Sequence, residues 1–512
     1  MAAPSTLSVS AQPPRATRRD WLGLAVIALP CVVYSMDLTV LNLALPRIAE
    51  DLRPSSAKLL WIIDIYGFFV AGLLITMGNL GDRIGRRRLL LIGAAAFGAA
   101  SVVAALSRSA GTLIAARALL GVAGATLAPS TLSLIRNMFL DARQRTVAIG
   151  VWTASFSIGG ALGPVLGGLI LQRFPWGSVF LLAVPVMALL LVAGPVLLPE
   201  SRNPTAKPLD LASAALSLFA VLSLIYGLKM YVQEGFGALP AGSIAAGVAL
   251  GAIFVRRQRR LVDPLIDLDL FRVPGFGVSV ATYLLATLVT FGSYVVVGQY
   301  LQLVLGLSPL VAGLWLLPWS ASYVVGSFLA PLLARRIRPA LLMAGGLTCA
   351  AAGFMLVGRV AGLGVGAIIA ASTVYSLALS PVFTLGIDAI VAAAPPARAG
   401  AAAALSETCS ELGGALGIAV LGSVGTAVYR GSLAGAAALA EAPAAARRAA
   451  LDTLGGAAAA AAQLPSQAVA MRLLAAARAA FSQGMRVTLA LCAALSLAAA
   501  IVRLLSPRHP TR

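Results

Sequence analysis

The sequence is poor in the residues that build metal or redox centres. Of its 512 residues one is histidine, His509, and four are cysteines that lie singly inside apolar runs. Zinc sites and disulfide frameworks need such residues at paired, short spacings, so the cysteines are interpreted as packing residues. A nucleophile–base pair is also lacking, which argues against a membrane enzyme. No GxxxxGK[ST] stretch occurs, so ATP is not expected to supply the energy, and no cofactor is expected.

Charge is scarce as well. Charged residues make up 11% of the chain and hydrophobic residues 60%, and the mean hydropathy is +0.93. This composition excludes a water-soluble globular protein and predicts an all-α polytopic membrane protein. The net charge of +20 comes from short arginine clusters between apolar runs. A basic domain studded with aromatic residues is missing, so nucleic acid is not an expected partner.

Windows of about 20 apolar residues predict about fourteen transmembrane spans. They fall near residues 21–45, 58–78, 89–107, 111–135, 147–171, 179–198, 210–230, 240–255, 276–299, 310–333, 340–358, 364–392, 402–428 and 485–505. The first run is too long for the core of a signal peptide, and residues 1–20 before it are predicted to be a disordered cytoplasmic terminus. Segments then assigned to the cytoplasm hold about 24 Lys and Arg, and outer segments about 13. This bias predicts a plasma-membrane protein with both termini, including residues 506–512, in the cytoplasm.

A faint repeat suggests two bundles of helices. GNLGDRIGRRR (78–88) joins spans two and three, and the basic part of this pattern returns in APLLARRIRPALL (330–342). We predict a six-helix bundle at 21–198, two inserted spans at 199–255 and a second six-helix bundle at 256–505. The Ala-rich outer loop at 430–484 could form two short helices divided near Gly455 and Pro465, or a low-complexity lid with no specific role.

Asp37, in MDLTVLNLALPRI (36–48), lies deep inside the first span. At 1.5 Å per residue it is about 10 Å from the outer face, and Asp64 and Arg117 are each about 9 Å deep from the same face. Opposite charges at one depth can neutralise each other's burial cost. A conformational change that alters that balance would make Asp37 bind or release a proton. The alternative is a static ion pair that fixes helix packing.

Two other groups could meet an organic cation. Asp64 has Trp61 and Tyr66 beside it, which could form an aromatic cage or act as interfacial anchors. Glu407 and Glu411 are four residues apart on one helix face, where two ionised carboxylates repel in a dry site. At least one is then expected to carry a proton or to face a water-filled cavity; a hydrogen-bonded polar seam is the alternative. Asp388, close to the end of its span, could equally be a simple cap.

Two motifs suggest moving parts. GNLGDRIGRRR combines turn-forming glycines with an aspartate and arginines that can pair at the membrane face, as in a conformational latch of Gly78, Asp82, Arg83, Gly85 and Arg86. The arginines could otherwise serve topology alone. SIGGALGPVLGG (157–168) has small residues that permit close helix approach and a proline that bends the span. Its members are Gly159, Gly160, Gly163, Pro164, Gly167 and Gly168.

These stretches resemble the major facilitator superfamily, and within it the fourteen-span drug:proton antiporters. The resemblance rests on the latch motif, on the first-span signature around Asp37, on LIAARALLGVAGA (113–125) around Arg117 and on the glycine motif of the fifth span. Residues 185–229 look most like the quaternary-ammonium efflux pumps of that family. The chain departs from the pattern at Leu120, where a glutamine is common, and in its tenth span, which has no acidic residue. The latter puts a preference for doubly charged substrates in doubt.

The resemblance implies a proton-coupled antiporter that exports amphipathic, cationic small molecules by alternating access. Asp37 and Arg117 are then expected to couple protons, and Asp64, Trp61, Tyr66, Glu407 and Glu411 to bind substrate. The expected partners are a small-molecule substrate, protons and the lipid bilayer, with the chain acting as a monomer. The alternative of the same fold is a dedicated exporter of an endogenous metabolite such as an antibiotic or siderophore.

Overall fold

The structure is a computed structural model that describes residues 15–52, 54, 56–202, 210–235, 237–261, 264–266, 268–273, 275–394 and 399–505. Within these ranges, fourteen helices are long and apolar enough to cross a membrane, which confirms the predicted number of spans. Spans 1 to 8 are Arg18–Leu52, Ser56–Ile84, Arg86–Ala105, Ala110–Met138, Ala142–Arg173, Trp176–Leu182 continued by Ala183–Leu197, Leu211–Glu234 and Ala238–Gln258. Spans 9 to 14 are Phe276–Gln299 with Tyr300–Val304, Pro309–Trp315 with Leu317–Leu333, Pro339–Val360, Val365–Ala393, Ala399–Leu416 with Gly417–Leu421 and Gly422–Ala434, and Gln467–Leu505.

The first helix begins earlier than the sequence predicted. Residues 1–14 of the terminus predicted to be disordered lie outside the described residues, but Arg18 is already helical. Thr17 and Asp20 account for this start, since the Thr17 N–H donates to the Asp20 carboxylate at 2.7 Å and the Asp20 N–H donates to the Thr17 hydroxyl at 3.4 Å. This reciprocal capping box satisfies backbone donors at the helix N-terminus. The predicted disordered segment, residues 1–20, therefore extends too far, because residues 18–20 are helical.

The two six-helix bundles repeat one packing pattern. In the first bundle, span 1 packs on span 5, span 2 on span 4, and span 3 on spans 4 and 6. In the second, span 9 packs on span 13, span 10 on span 12, and span 11 on spans 12 and 14. The pairs correspond one to one when each number is raised by eight. The faint repeat in the sequence is thus a repeat of helix packing.

Spans 7 and 8 form a hairpin that is fixed to the first bundle. An apolar cluster joins span 7 to spans 2 and 13; it contains Phe68, Ala71, Leu222, Val221, Ile225, Tyr226, Leu412 and Ala415. Beyond span 8, the Asn79 side chain donates to the Leu265 carbonyl at 2.9 Å, and the Leu265 N–H donates to the Gln258 side chain at 2.7 Å. These bonds tie the end of the hairpin to span 2.

Fourteen antiparallel spans put the start of span 1 and the end of span 14 on one side, here called the termini face; the opposite side is the loop face. Span 14 has 39 residues, or about 58 Å of helix, which far exceeds a hydrocarbon core of about 30 Å. Its first turns project at the loop face. There they pack, through Leu473 and Ala477, against two short helices, Ala437–Ala440 and Leu454–Ala462. A third short helix, Ala444–Asp452, packs on Leu454–Ala462.

The outer loop is therefore a helical subdomain with its own small core. The first break between its longer helices comes at Thr453, two residues before Gly455, because the Thr453 hydroxyl accepts a hydrogen bond from the Gly456 N–H at 2.9 Å and caps the next helix. The second break falls at residues 463–466, around Pro465, as the sequence suggested.

The glycine motif forms a seam between spans 1 and 5. A Cβ at Gly159 would overlap the backbone carbonyl of Val32, and one at Gly163 would overlap the Thr39 side chain. Gly160 is different, since a Cβ there would lie 3.5 Å from the Ser35 hydroxyl, an ordinary contact. Gly167 and Gly168 continue the motif toward the loop face, and the side chain of Pro164 lies outside the described residues.

The seam predicts a difference between adjacent glycines. Gly159→Ala pushes a methyl group into the Val32 carbonyl, and overpacking of this kind costs about 1 to 3 kcal/mol. Gly160→Ala adds the same group in open contact and serves as the matched control. We expect a lower midpoint of thermal unfolding for purified Gly159→Ala in detergent and little change for Gly160→Ala. Equal midpoints in the two variants would contradict the seam.

Candidate functional site

Asp37 and Arg117 form a buried ion pair between spans 1 and 4. An Oδ of Asp37 lies 2.5 Å from the Nη1 of Arg117. The two residues are 8% and 1% exposed, so each charge is neutralised by the other where water is scarce. The structure thus brings together two of the three charges that the depth estimate placed at one level.

Two further groups hold the Arg117 guanidinium in place. Its Nε donates to the Ile62 carbonyl at 3.2 Å, and its Cζ lies 4.8 Å from the centre of the Tyr66 ring. The face of a tyrosine ring attracts a cation. Tyr66, predicted to be a substrate contact, is fully buried and is placed against the protein's own cation.

A cavity of about 280 Å³ lies between the two bundles. Its lining includes nine aromatic side chains, several hydroxyl groups and two carboxylates. The aromatic residues are Tyr34, Trp152, Phe156, Tyr283, Phe291, Tyr294, Trp319, Tyr323 and Phe383. The hydroxyl residues are Ser35, Thr39, Thr153, Ser157, Thr290, Ser320 and Ser410. Among the described lining residues none is basic, so the fixed charge of this wall can only be negative.

Glu407 and Glu411 supply the acidic part of the wall. Both lie on span 13 and both line the cavity, as their spacing of one helical turn allows. Glu407 is 7% exposed, whereas Glu411 is half-buried. The structure therefore brings these two predicted substrate contacts together at one surface.

The aromatic wall on the second bundle is continuous. Ring centres are 5.3 Å apart for Tyr294 and Trp319, 6.4 Å for Trp319 and Tyr323 with the planes at 22°, and 5.7 Å for Tyr323 and Phe383. Such spacings are typical of interacting aromatic pairs. Across the cavity, Trp152 and Phe156 of the first bundle are 4.7 Å apart. The faces and edges of these rings can contact a flat apolar ligand or a cation.

Trp61 and Tyr66, which were predicted to bind substrate together with Asp64, lie away from this wall. Trp61 is 42% exposed and meets Phe68 edge-on at 6.0 Å between ring centres. The side chain of Asp64 lies outside the described residues. Trp61 and Tyr66 thus do not meet the cavity that Glu407 and Glu411 line.

Tyr34 connects the buried ion pair with the cavity. Its hydroxyl donates to the Oε1 of Glu411 across the two bundles at 3.4 Å. Its ring centre is 6.0 Å from that of Tyr66 and 5.8 Å from that of Phe156. Tyr34 is 4% exposed, so these contacts define its position.

The latch motif is built as a compact corner at the termini face. Asp82 and Arg86 are both buried and form an ion pair. Between them Gly85 has a φ of 107°, and a Cβ there would crowd the Glu200 carboxylate, so only glycine suits the position. Arg86 donates its backbone N–H to the Ser201 carbonyl at 2.9 Å. Gly78 is buried in span 2, and Arg83 is exposed.

A second set of contacts at the termini face joins the two bundles. Asp388 of span 12 accepts hydrogen bonds from the Nε of Arg145 at 2.9 Å and from the Thr146 hydroxyl at 2.8 Å. Nearby, the Arg136 guanidinium donates to the Ala394 carbonyl. Asp388 therefore binds the opposite bundle, an arrangement that neither its position in the sequence nor its distance from Pro395 revealed.

Sequence reasoning also missed the aromatic lining. A signal was present, because TFGSY (290–294) and WSASY (319–323) place aromatic residues among small hydroxyl residues inside apolar spans. Trp319 and Tyr323 are four residues apart and therefore share one face of a helix. What the sequence could not supply is which helices face each other, and so which aromatic residues share one cavity.

The comparisons with known proteins agree with this architecture. Residues 27–418 match the Major Facilitator Superfamily. The chain is 47% identical over 489 residues to the multidrug efflux pump LfrA of Mycolicibacterium smegmatis, covering 95% of this chain and 96% of that protein. It is 36% identical to the methyl viologen resistance protein SmvA of Salmonella typhimurium, covering 79% of this chain and 82% of that one.

Other relatives extend the same picture. The tetracenomycin C resistance and export protein of Streptomyces glaucescens is 35% identical, with 79% of this chain and 76% of that protein covered. The crystal structure of the human organic anion transporter MFSD10 (TETRAN) covers 96% of this chain and 100% of that one, with a TM-score of 0.62 at 17% identity. That identity is low, so this likeness concerns the fold alone. From its matched sequence, its relatives and its paired six-helix bundles, the chain belongs to the Major Facilitator Superfamily.

Proposed function

We propose that the protein is a proton-coupled antiporter that exports amphipathic, cationic small molecules, including quaternary ammonium compounds, across the cytoplasmic membrane. The observation that carries this proposal is the cavity between the bundles, which combines aromatic walls with two carboxylates and has no basic group among its described lining residues. Aromatic faces and carboxylates both favour a cation over an anion. The relatives named for multidrug efflux and for methyl viologen resistance support the same substrate class.

Proton coupling is assigned to the Asp37–Arg117 pair. A carboxylate that is buried against one arginine changes its affinity for a proton when that arginine moves or when water reaches it. The pair lies on spans 1 and 4, behind the cavity wall that Tyr34 forms. Protons would enter from outside to Asp37, and the substrate would leave in exchange.

The contacts at the termini face support a state in which the pathway is closed on that side. If both termini are cytoplasmic, as the arginine distribution predicts, Arg145, Thr146 and Asp388 close the cytoplasmic end of the pathway. Export then requires these bonds to break so that the cavity can load from the cytoplasm, which is the gating step of alternating access. The Asp82–Arg86 corner, at the same face, would act as the latch on that interconversion.

A dedicated exporter of an endogenous metabolite is the second candidate. It is favoured by the relative from Streptomyces glaucescens that is named for resistance to, and export of, a single antibiotic. The test compares uptake of a cationic dye and a neutral dye into inverted vesicles, in which an exporter transports inward, with and without a proton uncoupler. Uncoupler-sensitive transport of the cationic dye supports the antiporter, and transport of neither dye supports the dedicated exporter.

Asp37→Asn should abolish uphill export while the protein remains folded and in the membrane. The amide preserves the shape of the side chain but cannot exchange a proton or carry charge. We expect ethidium efflux driven by a pH gradient to fall to the background of protein-free liposomes. The purified variant should keep a normal size-exclusion profile. Asp51→Asn is the control, because Asp51 is on the same span but accepts a bond from the Trp176 indole at 2.7 Å near the loop face. Energised efflux at the native rate in Asp37→Asn would remove Asp37 from the coupling role.

Replacing both Glu407 and Glu411 with glutamine should change charge selectivity. The substitution removes negative charge from the cavity wall and preserves side-chain size. A lost interaction of about 1 to 2 kcal/mol lowers affinity for a cationic dye roughly fivefold to thirtyfold, while a neutral lipophilic dye keeps its aromatic contacts. Glu441→Gln, in the subdomain at the loop face, is the control. Parallel losses for both dyes would show that the two glutamates hold helices or carry protons instead.

Asp388→Asn should open the termini face. Removing the carboxylate charge weakens the bonds to Arg145 and Thr146, so the closed state loses stability relative to the open one. In a background with the four native cysteines replaced, spin labels at Leu140 and Ile337, both exposed at this face, would report the distance between the bundles. We expect a new population at longer distance.

The control for that measurement is Asp210→Asn. Asp210 pairs with Arg257 at 2.9 Å at the same face but within the hairpin of spans 7 and 8. Its loss should leave the distance distribution between Leu140 and Ile337 unchanged. An unchanged distribution in Asp388→Asn as well would mean that Asp388 does not hold the gate.

A further inference from the structure

We propose that Tyr34 is a positioning residue that couples the Asp37–Arg117 pair to the carboxylates of the cavity. This inference rests on the proposed function, since it assigns the link between its proton site and its substrate site. Tyr34 lies one helical turn before Asp37 on span 1, so the two side chains leave the helix on neighbouring sides. Its hydroxyl reaches Glu411 of the other bundle.

A continuous set of contacts runs from the ion pair to the cavity. Arg117 lies over the ring of Tyr66 at 4.8 Å, and that ring lies 6.0 Å from the ring of Tyr34. Tyr66 is fully buried and Tyr34 is 4% exposed. In a close-packed interior neither ring can shift without displacing the other. A proton that binds Asp37 weakens its attraction for Arg117, and the resulting movement reaches Tyr34 through Tyr66.

The last contact of this set is easily made and broken. The 3.4 Å between the Tyr34 hydroxyl and Glu411 is near the outer limit of an O–H···O hydrogen bond. The two residues also belong to different bundles, whose relative movement is the transport step. A shift of a few tenths of an ångström therefore decides whether Glu411 keeps this donor. With the donor, Glu411 is tied to the first bundle; without it, this tie between the bundles is lost.

Tyr34 conveys position and carries no proton itself. The groups that contact it are Glu411 from span 13, Tyr66 from span 2 and Phe156 from span 5. Glu407, one turn from Glu411, lines the same cavity. The neutral hydroxyl is the only one of the Tyr34 atoms that bonds across the bundles in the described structure, so removing that oxygen tests the link while the ring and its packing remain.

The experiment is a double-mutant cycle repeated in a third background. Ethidium affinity of the purified protein is measured for the native chain, Asp37→Asn, Glu411→Gln and the double variant. Sites that communicate give non-additive effects, and we expect a coupling factor of about fivefold or more. In the Tyr34→Phe background the factor should fall to within about twofold of unity. A merely structural role of Tyr34 would lower all four affinities together and leave their ratio unchanged.

Tyr323→Phe supplies the matched control background. Tyr323 also lines the cavity, but it stacks within the aromatic wall of the second bundle. Tyr323→Phe can itself change the affinity for ethidium, but the coupling factor between Asp37 and Glu411 should persist in that background. A factor that survives in Tyr34→Phe, or that is close to unity in the native chain, overturns the inference and leaves the antiporter proposal intact. Absence of proton-driven ethidium export by the native protein overturns both.

Discussion

A charge inside an apolar helical bundle must be neutralised where it lies, and the Asp37–Arg117 pair meets this requirement in the first bundle. Separating a buried pair is strongly destabilising because it leaves an uncompensated charge, so the pair constrains how spans 1 and 4 meet. Tyr66 and the Ile62 carbonyl complete the surroundings of Arg117 from span 2. Three spans are thereby held around one guanidinium. The glycine seam then sets span 5 directly against span 1, so one wall of the cavity is positioned by the same centre.

The second bundle repeats the helix pairing of the first but uses it differently. Glu407 and Glu411 of the second bundle line the cavity, whereas Asp37 of the first bundle is paired with Arg117 behind Tyr34. The aromatic residues of the second bundle form a continuous wall from Tyr294 to Phe383. The two bundles therefore differ in their charged groups, with a neutralised ion pair in the first and an acidic cavity surface in the second.

Much of this could be predicted from the sequence because the signals are local. The number of spans follows from the lengths of the apolar runs. Residue counting along spans 1 and 4 gives the depths of Asp37 and Arg117, and from these the pairing could be expected. Glu407 and Glu411 share a face through helical spacing, and Gly85 has the positive φ that its motif suggested. The contacts of Asp388 with Arg145 and of Tyr34 with Glu411 join residues hundreds of positions apart on different bundles. No period or spacing encodes such pairs; they follow from how the bundles dock. Trp61 and Tyr66 show the same limit, since the rotation of span 2, which the sequence does not give, decided that neither ring lines the cavity.

The hairpin of spans 7 and 8 makes two lipid-facing sides of the molecule different from each other. It covers the seam where spans 2 and 13 meet and is tied to the first bundle by Asn79, Leu265 and Gln258. The other seam between the bundles, where span 5 packs on span 10, has no such cover from spans 7 and 8, and Phe328 of span 10 is exposed. Spans 7 and 8 therefore separate lipid acyl chains from the seam of spans 2 and 13, but not from the seam of spans 5 and 10. A hydrophobic compound dissolved in the membrane meets the hairpin of spans 7 and 8 on one side of the molecule and the junction of spans 5 and 10 on the other.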